Sequence, residues 1–230
     1  MISGRSRFRL HRPIDVVVSV VGLICASPVL AVSWFAAGRA AHGSGLFRQL
    51  RVGQGAKLFE IIKFRTMNAN SSGPSVTTES DTRITSVGRL LRRTKVDEVP
   101  QLVNVLRGEM SLIGPRPDVP GFADQLTGDD RVILDVRPGV TGPASVLFAD
   151  EESLLATVDD PRAFNSDVVY PLKTAINRAW IEHGTLLDDL RILVATVIAP
   201  APGSIEKLIL GWNPDLVLDP RNSLKTSERP

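Results

Sequence analysis

An almost uncharged apolar segment near the start of the chain, residues 14–37, constrains the fold more than any other feature of the sequence. Residues 16–37 alone number 22 and, if helical, extend about 33 Å, which is enough to cross the hydrocarbon core of a bilayer. Ser27 and Pro28 lie near the middle, where a proline removes a backbone hydrogen bond and clashes with the preceding turn. Basic residues flank both ends, which favours placing both flanks on the cytoplasmic side of a membrane.

Three arrangements of this segment are compatible with its length. A helix broken at Ser27-Pro28 that enters and leaves by the same leaflet satisfies both the proline and the flanking charges, so we expect this re-entrant course. A straight transmembrane anchor leaves the proline and the second basic flank unexplained. A cleaved signal peptide has a shorter apolar run that ends at a small-residue cleavage site.

Positive charge is concentrated at the N-terminal end, although the formal net charge of the 230 residues is only +2. Through Arg65 the sequence has ten Lys or Arg residues and two acidic residues, and the remainder is net acidic. A basic end indicates a nucleic acid or an anionic membrane surface as partner. Aromatic residues make up only 5% and do not alternate with basic ones, so we expect anionic membrane lipids and no nucleic acid.

Residues 83–117 contain two short amphipathic segments around an acidic pair, Asp97-Glu98, and end in a Gly-Pro-Arg-Pro turn. The first segment has an apolar helical stripe, formed by Val87, Leu90, Leu91 and Thr94. Asp97 stands at the expected N-cap of a second helix, which runs to about Arg107 and stops at Gly108.

The acidic pair has two interpretations. Adjacent acids beside basic residues are often no more than a solvated helix cap with surface ion pairs. Alternatively, a helix N-terminus and nearby basic side chains keep Asp97 ionised and hold a phosphate-bearing substrate beside it. A carboxylate that faces a phosphate needs charge neutralisation, so the second interpretation predicts a divalent cation, most simply Mg²⁺, on Asp97.

Two further regions present basic residues in ordered surroundings. Residues 46–67 resemble two strands joined through Gly53-Gln54-Gly55, and the second strand places Lys63 and Arg65 on one face. Residues 136–145 contain two glycines and two prolines, a turn that either aims Arg137 at an anion or simply connects two elements. Residues 68–82 are predicted to form a polar loop, 173–199 a helical pattern and 205–212 an amphipathic segment on a membrane surface.

Taken together, these segments resemble the bacterial sugar transferases, the small monotopic polyprenyl-phosphate phosphoglycosyl transferases. The matching blocks are the basic N-terminus with the Ser27-Pro28 segment, Lys63-Phe64-Arg65-Thr66-Met67, Arg92 with Asp97-Glu98, Pro100-Gln101-Leu102, Asn104-Val105-Leu106, Gly108-Glu109-Met110-Ser111, Gly114-Pro115-Arg116-Pro117, Val136-Arg137-Pro138-Gly139-Val140-Thr141-Gly142 and Asp189-Leu190-Arg191. So many blocks in order are far more specific than any one of them.

The resemblance implies an α+β, mostly helical, monotopic membrane protein with the re-entrant helix, a small β-hairpin and amphipathic interfacial helices. The expected parts are residues 1–42 (basic N-terminus and membrane helix), 43–218 (cytoplasmic catalytic domain) and 219–230 (flexible tail). The expected location is the cytoplasmic face of the bacterial inner membrane, and a homodimer is left open.

The implied reaction moves a phosphosugar from a UDP-sugar to a polyprenyl phosphate, such as undecaprenyl phosphate, and releases UMP. Asp97 would be the nucleophile and the Mg²⁺ ligand, and Glu98 would assist as a metal-shell or proton-handling group. The residues expected to contact phosphate are Lys63, Arg65, Arg92, Arg116 and Arg137.

The sequence departs from the family pattern in its last third. Residues 143–148 replace a common Trp-Ala-Gln-Val-Asn-Gly-Arg run, extra sequence occupies residues 150–170, and Asn177 and Trp180 stand where an Asp-x-x-Tyr pair is common. These departures bear on the substrate pocket and on which sugar is used. Two alternative functions are a Mg²⁺-dependent nucleotide-sugar hydrolase on the membrane and an inactive scaffold of a glycan assembly complex.

Overall fold

The computed structural model describes residues 7–71 and 81–198, and within them the protein is mostly helical with a small β-hairpin, as the sequence predicts. A second two-stranded sheet, which is parallel, was not predicted. The helices are α1 Arg7–Ala41, α2 Ser86–Arg93, α3 Leu102–Arg107, α4 Pro143–Leu147, α5 Glu151–Leu155, α6 Pro161–Phe164, α7 Tyr170–His183 and α8 Leu186–Ile198. The strands are β1 Leu46–Val52, β2 Leu58–Phe64, β3 Ser111–Ile113 and β4 Gly139–Thr141. The predicted interfacial segment 205–212, the tail 219–230 and residues 72–80 of the predicted loop lie outside the described residues.

Helix α1 is long and apolar enough, over Leu10–Ala41, to cross a membrane by length and composition. Only 11% of its most apolar window is buried, so this helix is not the core of the folded part. The large apolar side chains along it, among them Val21, Ile24, Val32 and Phe35, are more than half exposed. Association with a membrane would remove this apolar surface from water.

The helical backbone of α1 continues through Ser27 and Pro28. Pro28 has no N–H to donate to the carbonyl of Ile24, four residues earlier. The hydroxyl of Ser27 donates to that same carbonyl at 2.8 Å. This hydrogen bond explains how the helix accommodates the proline, and the re-entrant course of α1 stays a prediction.

The first turns of α1 are attached to the folded part of the chain. The guanidinium of Arg12 donates to the carbonyls of Val105 and Leu106 at the end of α3. The buried carboxylate of Asp15 accepts the backbone N–H of Leu112 in β3 at 3.0 Å. Because charged groups satisfy these backbone atoms, α1 and α3 are held in a fixed relation.

Strands β1 and β2 form the predicted antiparallel hairpin, with Leu46 opposite Phe64 and Val52 opposite Leu58. Gly55 in the connecting turn has a φ of 67°, in the left-handed region that glycine adopts without strain. Asn104 of α3 is fully buried against β2, where its amide accepts the N–H of Ile62 and donates to the carbonyl of Glu60. This amide fixes α3 across the hairpin.

The main core lies where α7 and α8 pack on the parallel pair β3–β4. Trp180 is fully buried at its centre, and its indole N–H donates to the carboxylate of Asp189 at 2.8 Å. The other carboxylate oxygen of Asp189 contacts the ring of His11 at 2.9 Å, which links α8 to α1. The predicted helical pattern 173–199 consists of two helices, with a break at Gly184 and Thr185.

Candidate active site

The acidic pair lies in a 3₁₀ turn, Val96–Gln101, between α2 and α3. Lys95, with a left-handed φ of 57°, reverses the chain after α2 and occupies the N-cap of the turn. The prediction that Asp97 is the N-cap is wrong, because Asp97 falls inside the first turn. Its side chain is therefore free of a capping role and points into the protein, where only 8% of the residue is exposed.

Glu98 is neutralised by two cations from different elements. One of its carboxylate oxygens accepts from Lys63 of β2 at 3.1 Å and from Arg116 at 2.5 Å. Burial alone would raise the pKa of Glu98, but the charges and hydrogen bonds of Arg116 and Lys63 outweigh it and hold that pKa well below its usual range. Burial and the charge of Arg116 lower the pKa of Lys63 to about 8.

Asp97 is in a different electrostatic state from its neighbour. Burial and the negative charge of Glu98 raise its pKa, and Lys63, Arg92 and Lys95 act in the opposite direction. The cations around Asp97 therefore offset the effects of burial and of Glu98 on its pKa only in part, and the ionised state of Asp97 stays a prediction. Its Oδ1 atom is buried without a hydrogen-bond partner among the described residues. A desolvated carboxylate oxygen without a partner is available to bind a cation or to attack an electrophile.

The residues present fit a hard divalent cation. Within residues 7–71 and 81–198 there is no group of three or more His, Cys, Asp or Glu side chains that could hold a metal. Mg²⁺, however, is commonly held by one or two carboxylates and by the phosphates of a substrate. Asp97 Oδ1 supplies the protein oxygen that such a site requires.

Three of the five predicted phosphate contacts surround the acidic pair. Lys63 and Arg116 contact Glu98, and Arg92 donates to the hydroxyl of Thr66 at 3.1 Å and acts on the pKa of Asp97. Arg92 reaches this position because it lies in the last turn of α2, which packs against the acidic turn that follows it.

The other two predicted contacts have different neighbours. Strand β2 ends at Phe64, so Arg65 lies outside the strand. The alternation of side chains that would place Arg65 on the same face as Lys63 therefore does not extend to it. Its guanidinium donates instead to the carbonyls of Ser44 and Leu46. Arg137 lines a cavity of about 620 Å³ whose lining includes neither Asp97 nor Glu98. Phosphate binding by Arg65 and Arg137 stays a prediction.

The sequence analysis missed a second polar group beside Arg116. Arg51 of β1, Asp118 and Tyr170 of α7 influence one another's pKa values, and both Arg51 and Asp118 sense the charge of Arg116. One signal was available, because Asp118 follows directly after the Gly-Pro-Arg-Pro turn and Tyr170 is the only tyrosine of the chain.

A sequence model described as bacterial sugar transferase matches residues 6–201 of the chain. The chain belongs to the bacterial sugar transferase family. Its acidic pair, Gly-Pro-Arg-Pro turn and apolar N-terminal helix all lie within the matched range.

Characterised relatives act on undecaprenyl phosphate, according to their names. Undecaprenyl-phosphate galactose phosphotransferase of Salmonella typhimurium is 35% identical over 212 residues, which cover 85% of this chain and 41% of that protein. UDP-glucose:undecaprenyl-phosphate glucose-1-phosphate transferase of Caulobacter vibrioides is 41% identical over 193 residues, 81% of this chain and 67% of that protein. UDP-N-acetylgalactosamine-undecaprenyl-phosphate N-acetylgalactosaminephosphotransferase of Aeromonas hydrophila is 36% identical over 193 residues, 82% of this chain and 43% of that protein.

The chain thus spans about two fifths of the length of two of these relatives and two thirds of the third. Their names carry three different sugars, so similarity alone does not specify a donor.

Proposed function

We propose that this protein transfers a phosphosugar from a UDP-sugar to undecaprenyl phosphate, or a similar polyprenyl phosphate, and releases UMP. The observation that carries the proposal is that two neighbouring carboxylates have opposite surroundings. Glu98 is neutralised by Lys63 and Arg116, and Asp97 has a buried oxygen without a hydrogen-bond partner in the described part of the chain.

In the first step, Asp97 attacks the phosphorus that bears the sugar. A bond forms between the carboxylate oxygen and that phosphorus, and the bond to the bridging oxygen of the diphosphate breaks, so that its electron pair leaves with UMP. In the second step, an oxygen of the polyprenyl phosphate attacks the same phosphorus, and the bond to Asp97 breaks. This sequence restores the carboxylate and predicts ping-pong kinetics.

The surrounding cations support both steps by charge. The charges of Arg92, Arg116 and Lys63 all act on Asp97, which supports a role for them in binding the diphosphate of the donor, since guanidinium groups suit phosphate oxygens. Mg²⁺ bound by Asp97 and the phosphates would neutralise charge on the diphosphate. Glu98 pairs with both Lys63 and Arg116 and so fixes the two cations beside the acidic pair.

The membrane part of the proposal follows from α1. The acceptor is a lipid whose phosphate lies at the membrane interface, so the enzyme must hold Asp97 at that plane. We propose that α1 enters and leaves the cytoplasmic leaflet of the inner membrane, and that the basic N-terminal region contacts anionic lipids there. The reaction would be the first membrane step of bacterial glycoconjugate assembly.

The deciding experiment measures UMP release by the detergent-solubilised chain with Mg²⁺, undecaprenyl phosphate and a panel of UDP-sugars. We expect one donor to support repeated release of UMP, and only when the lipid is present. Asp97→Asn should be inactive. Asp129→Asn, which alters an exposed carboxylate outside the candidate site, is the matched control and should be fully active.

Other outcomes identify the alternatives. UMP and sugar phosphate formed at the same rate without lipid would indicate a hydrolase. Full activity of Asp97→Asn would refute the covalent mechanism. In the active enzyme, mass spectrometry of a donor-treated, lipid-free sample should find the phosphosugar on the peptide that contains Asp97.

A further inference from the structure

A cluster of polar side chains lies beside Arg116. We call it the Asp118 cluster and define it by Arg51, Asp118 and Tyr170. Arg51 comes from the end of β1, Asp118 follows the Gly-Pro-Arg-Pro turn, and Tyr170, the last residue of the extra sequence 150–170, begins α7. Arg116 connects the two groups, because it contacts Glu98 and acts on the pKa of Asp118.

The hydrogen-bonding capacity of this cluster is not used up. Arg51 Nε and the Tyr170 hydroxyl are buried and have no hydrogen-bond partner among the residues that the structure describes. The Tyr170 hydroxyl lies near the Asp118 carboxylate and the Thr174 hydroxyl without forming a hydrogen bond of normal geometry to either. Buried polar groups without partners destabilise a fold, so their persistence indicates a ligand or ordered water.

The neighbouring cations are engaged elsewhere. The two terminal nitrogens of Arg51 donate to the carbonyl of Pro117 at 3.2 Å and to Gln49 at 2.7 Å. Lys173 pairs with Glu151 at 2.5 Å. Among residues 7–71 and 81–198, Asp118 forms no ion pair, although Lys173 and Arg51 are its nearest cations.

The charges restrict what can bind. A phosphate would face the carboxylate of Asp118, and a cation would face Arg51, Arg116 and Lys173. A neutral group that both donates and accepts hydrogen bonds has neither conflict. Two adjacent hydroxyls fit well, because they donate to a carboxylate and accept from a guanidinium N–H and a phenol.

We propose that Arg51, Asp118 and Tyr170 bind adjacent hydroxyls of the nucleotide-sugar donor. The inference rests on the proposed function and names part of its substrate site. The hydroxyls belong either to the transferred sugar or to the ribose of the nucleotide. Phe122 packs edge-on against the Tyr170 ring, with the ring centroids 5.3 Å apart, and so restricts the position of that ring.

Because Tyr170 is the only tyrosine, a binding test can observe it directly. The full chain is produced with 3-fluorotyrosine, which gives one ¹⁹F resonance, and is titrated in detergent with UDP-glucose, UDP-galactose, UMP and inorganic phosphate. The inference predicts a saturable shift with at least one nucleotide ligand and none with phosphate. A shift with UDP-sugars but not UMP assigns the hydroxyls to the transferred sugar, and an equal shift with UMP assigns them to the ribose. No shift at saturating concentrations of every nucleotide overturns the inference.

Kinetics provide a second, independent readout. Tyr170→Phe removes one hydroxyl and keeps the ring, and Asp118→Asn removes a charge and keeps the shape. Each variant should raise KM for the donor about tenfold or more, with KM for the polyprenyl phosphate unchanged. The charge-matched control, Asp129→Asn, should leave both constants unchanged.

The failure of this inference differs from failure of the proposed function. An active parent enzyme whose two variants keep the parental donor KM overturns the hydroxyl site alone. A parent chain that transfers no phosphosugar from any donor overturns the proposed function, whatever the resonance of Tyr170 does.

Discussion

Asp118→Asn should stabilise the protein at neutral pH although it weakens donor binding. Burial raises the pKa of Asp118 to about 6 from an ordinary value of 3.8, and Lys173 and Arg51 only partly oppose this effect. The folded protein therefore binds the proton of Asp118 more tightly than the unfolded chain does. The free energy of unfolding that this group contributes is present below pH 3.8 and is lost as the pH rises through 6.

The expected size follows from the two pKa values. At about 1.4 kcal/mol per pH unit, ionised Asp118 destabilises the folded state by at most about 3 kcal/mol at pH 8. Asparagine mimics the protonated carboxyl and does not ionise, so the variant should gain up to that amount. For a domain of this size, about 2–4 °C in Tm corresponds to 1 kcal/mol, and the gain should reach several degrees.

Thermal unfolding of parent and variant in the same detergent, followed by circular dichroism at pH 8 and pH 4, measures the effect. The gain in Tm should be large at pH 8 and small at pH 4, where the parent is already protonated at Asp118. A variant that is no more stable than the parent at pH 8 would show that Asp118 is paired or solvated in solution, and the reasoning would fail. The control Asp129→Asn should have the parental Tm at both values.

Three further changes test other parts of the structure. Ser27→Ala leaves the Ile24 carbonyl in α1 without a donor and should lower stability by about 1–2 kcal/mol in thermal unfolding, whereas Ser27→Thr keeps the hydroxyl and should not. Gly88→Ala would place a methyl group 2.0 Å from the carbonyl oxygen of Thr66, so α2 must move away from Thr66. We expect about 1–3 kcal/mol of destabilisation, and an unchanged Tm would contradict this packing. Glu98→Gln removes a charge that raises the pKa of Lys63, which is about 8 in the parent, so this pKa should fall. On the alkaline side of the pH profile, any residual activity of the variant should therefore be lost at a lower pH than that of the parent. A pH profile of kcat/KM with the same alkaline limit as the parent would show that Lys63 is not involved.

Local sequence patterns predicted the elements that local interactions specify. The Gly53-Gln54-Gly55 turn with alternating strands gave the hairpin, and Gly108, with a φ of 80°, ends α3 where expected. Leu90 shows the limit of such patterns: it lies on the apolar stripe of α2, yet it is 61% exposed and Leu91 alone on that stripe is buried. Which apolar residues are covered depends on the elements that pack there, and a single helix period does not specify them.

The candidate site was predictable only in part for the same reason. Asp97 and Glu98 stand out because they are adjacent in a motif, but their opposite electrostatic states depend on Lys63 and Arg116 from distant parts of the chain. The Asp118 cluster joins residues more than fifty positions apart, so no spacing rule connects them. Asp97 missed its predicted N-cap position because Lys95 adopts a left-handed conformation that few non-glycine residues adopt.

Helix α1 is attached to the part of the chain that contains Asp97, so the position of the helix relative to that residue is fixed. Arg12 and Asp15 fix its first turns to α3 and β3, and Asp97 lies in the turn that leads into α3. The later turns of α1 also pack against α2 and the turn that holds Asp97, so each residue inserted between Asp15 and Leu30 would offset the two attachments by about 1.5 Å along the helix axis and by about 100° around it. Under the proposed function, the length and register of this helix therefore set the distance between Asp97 and the membrane interface.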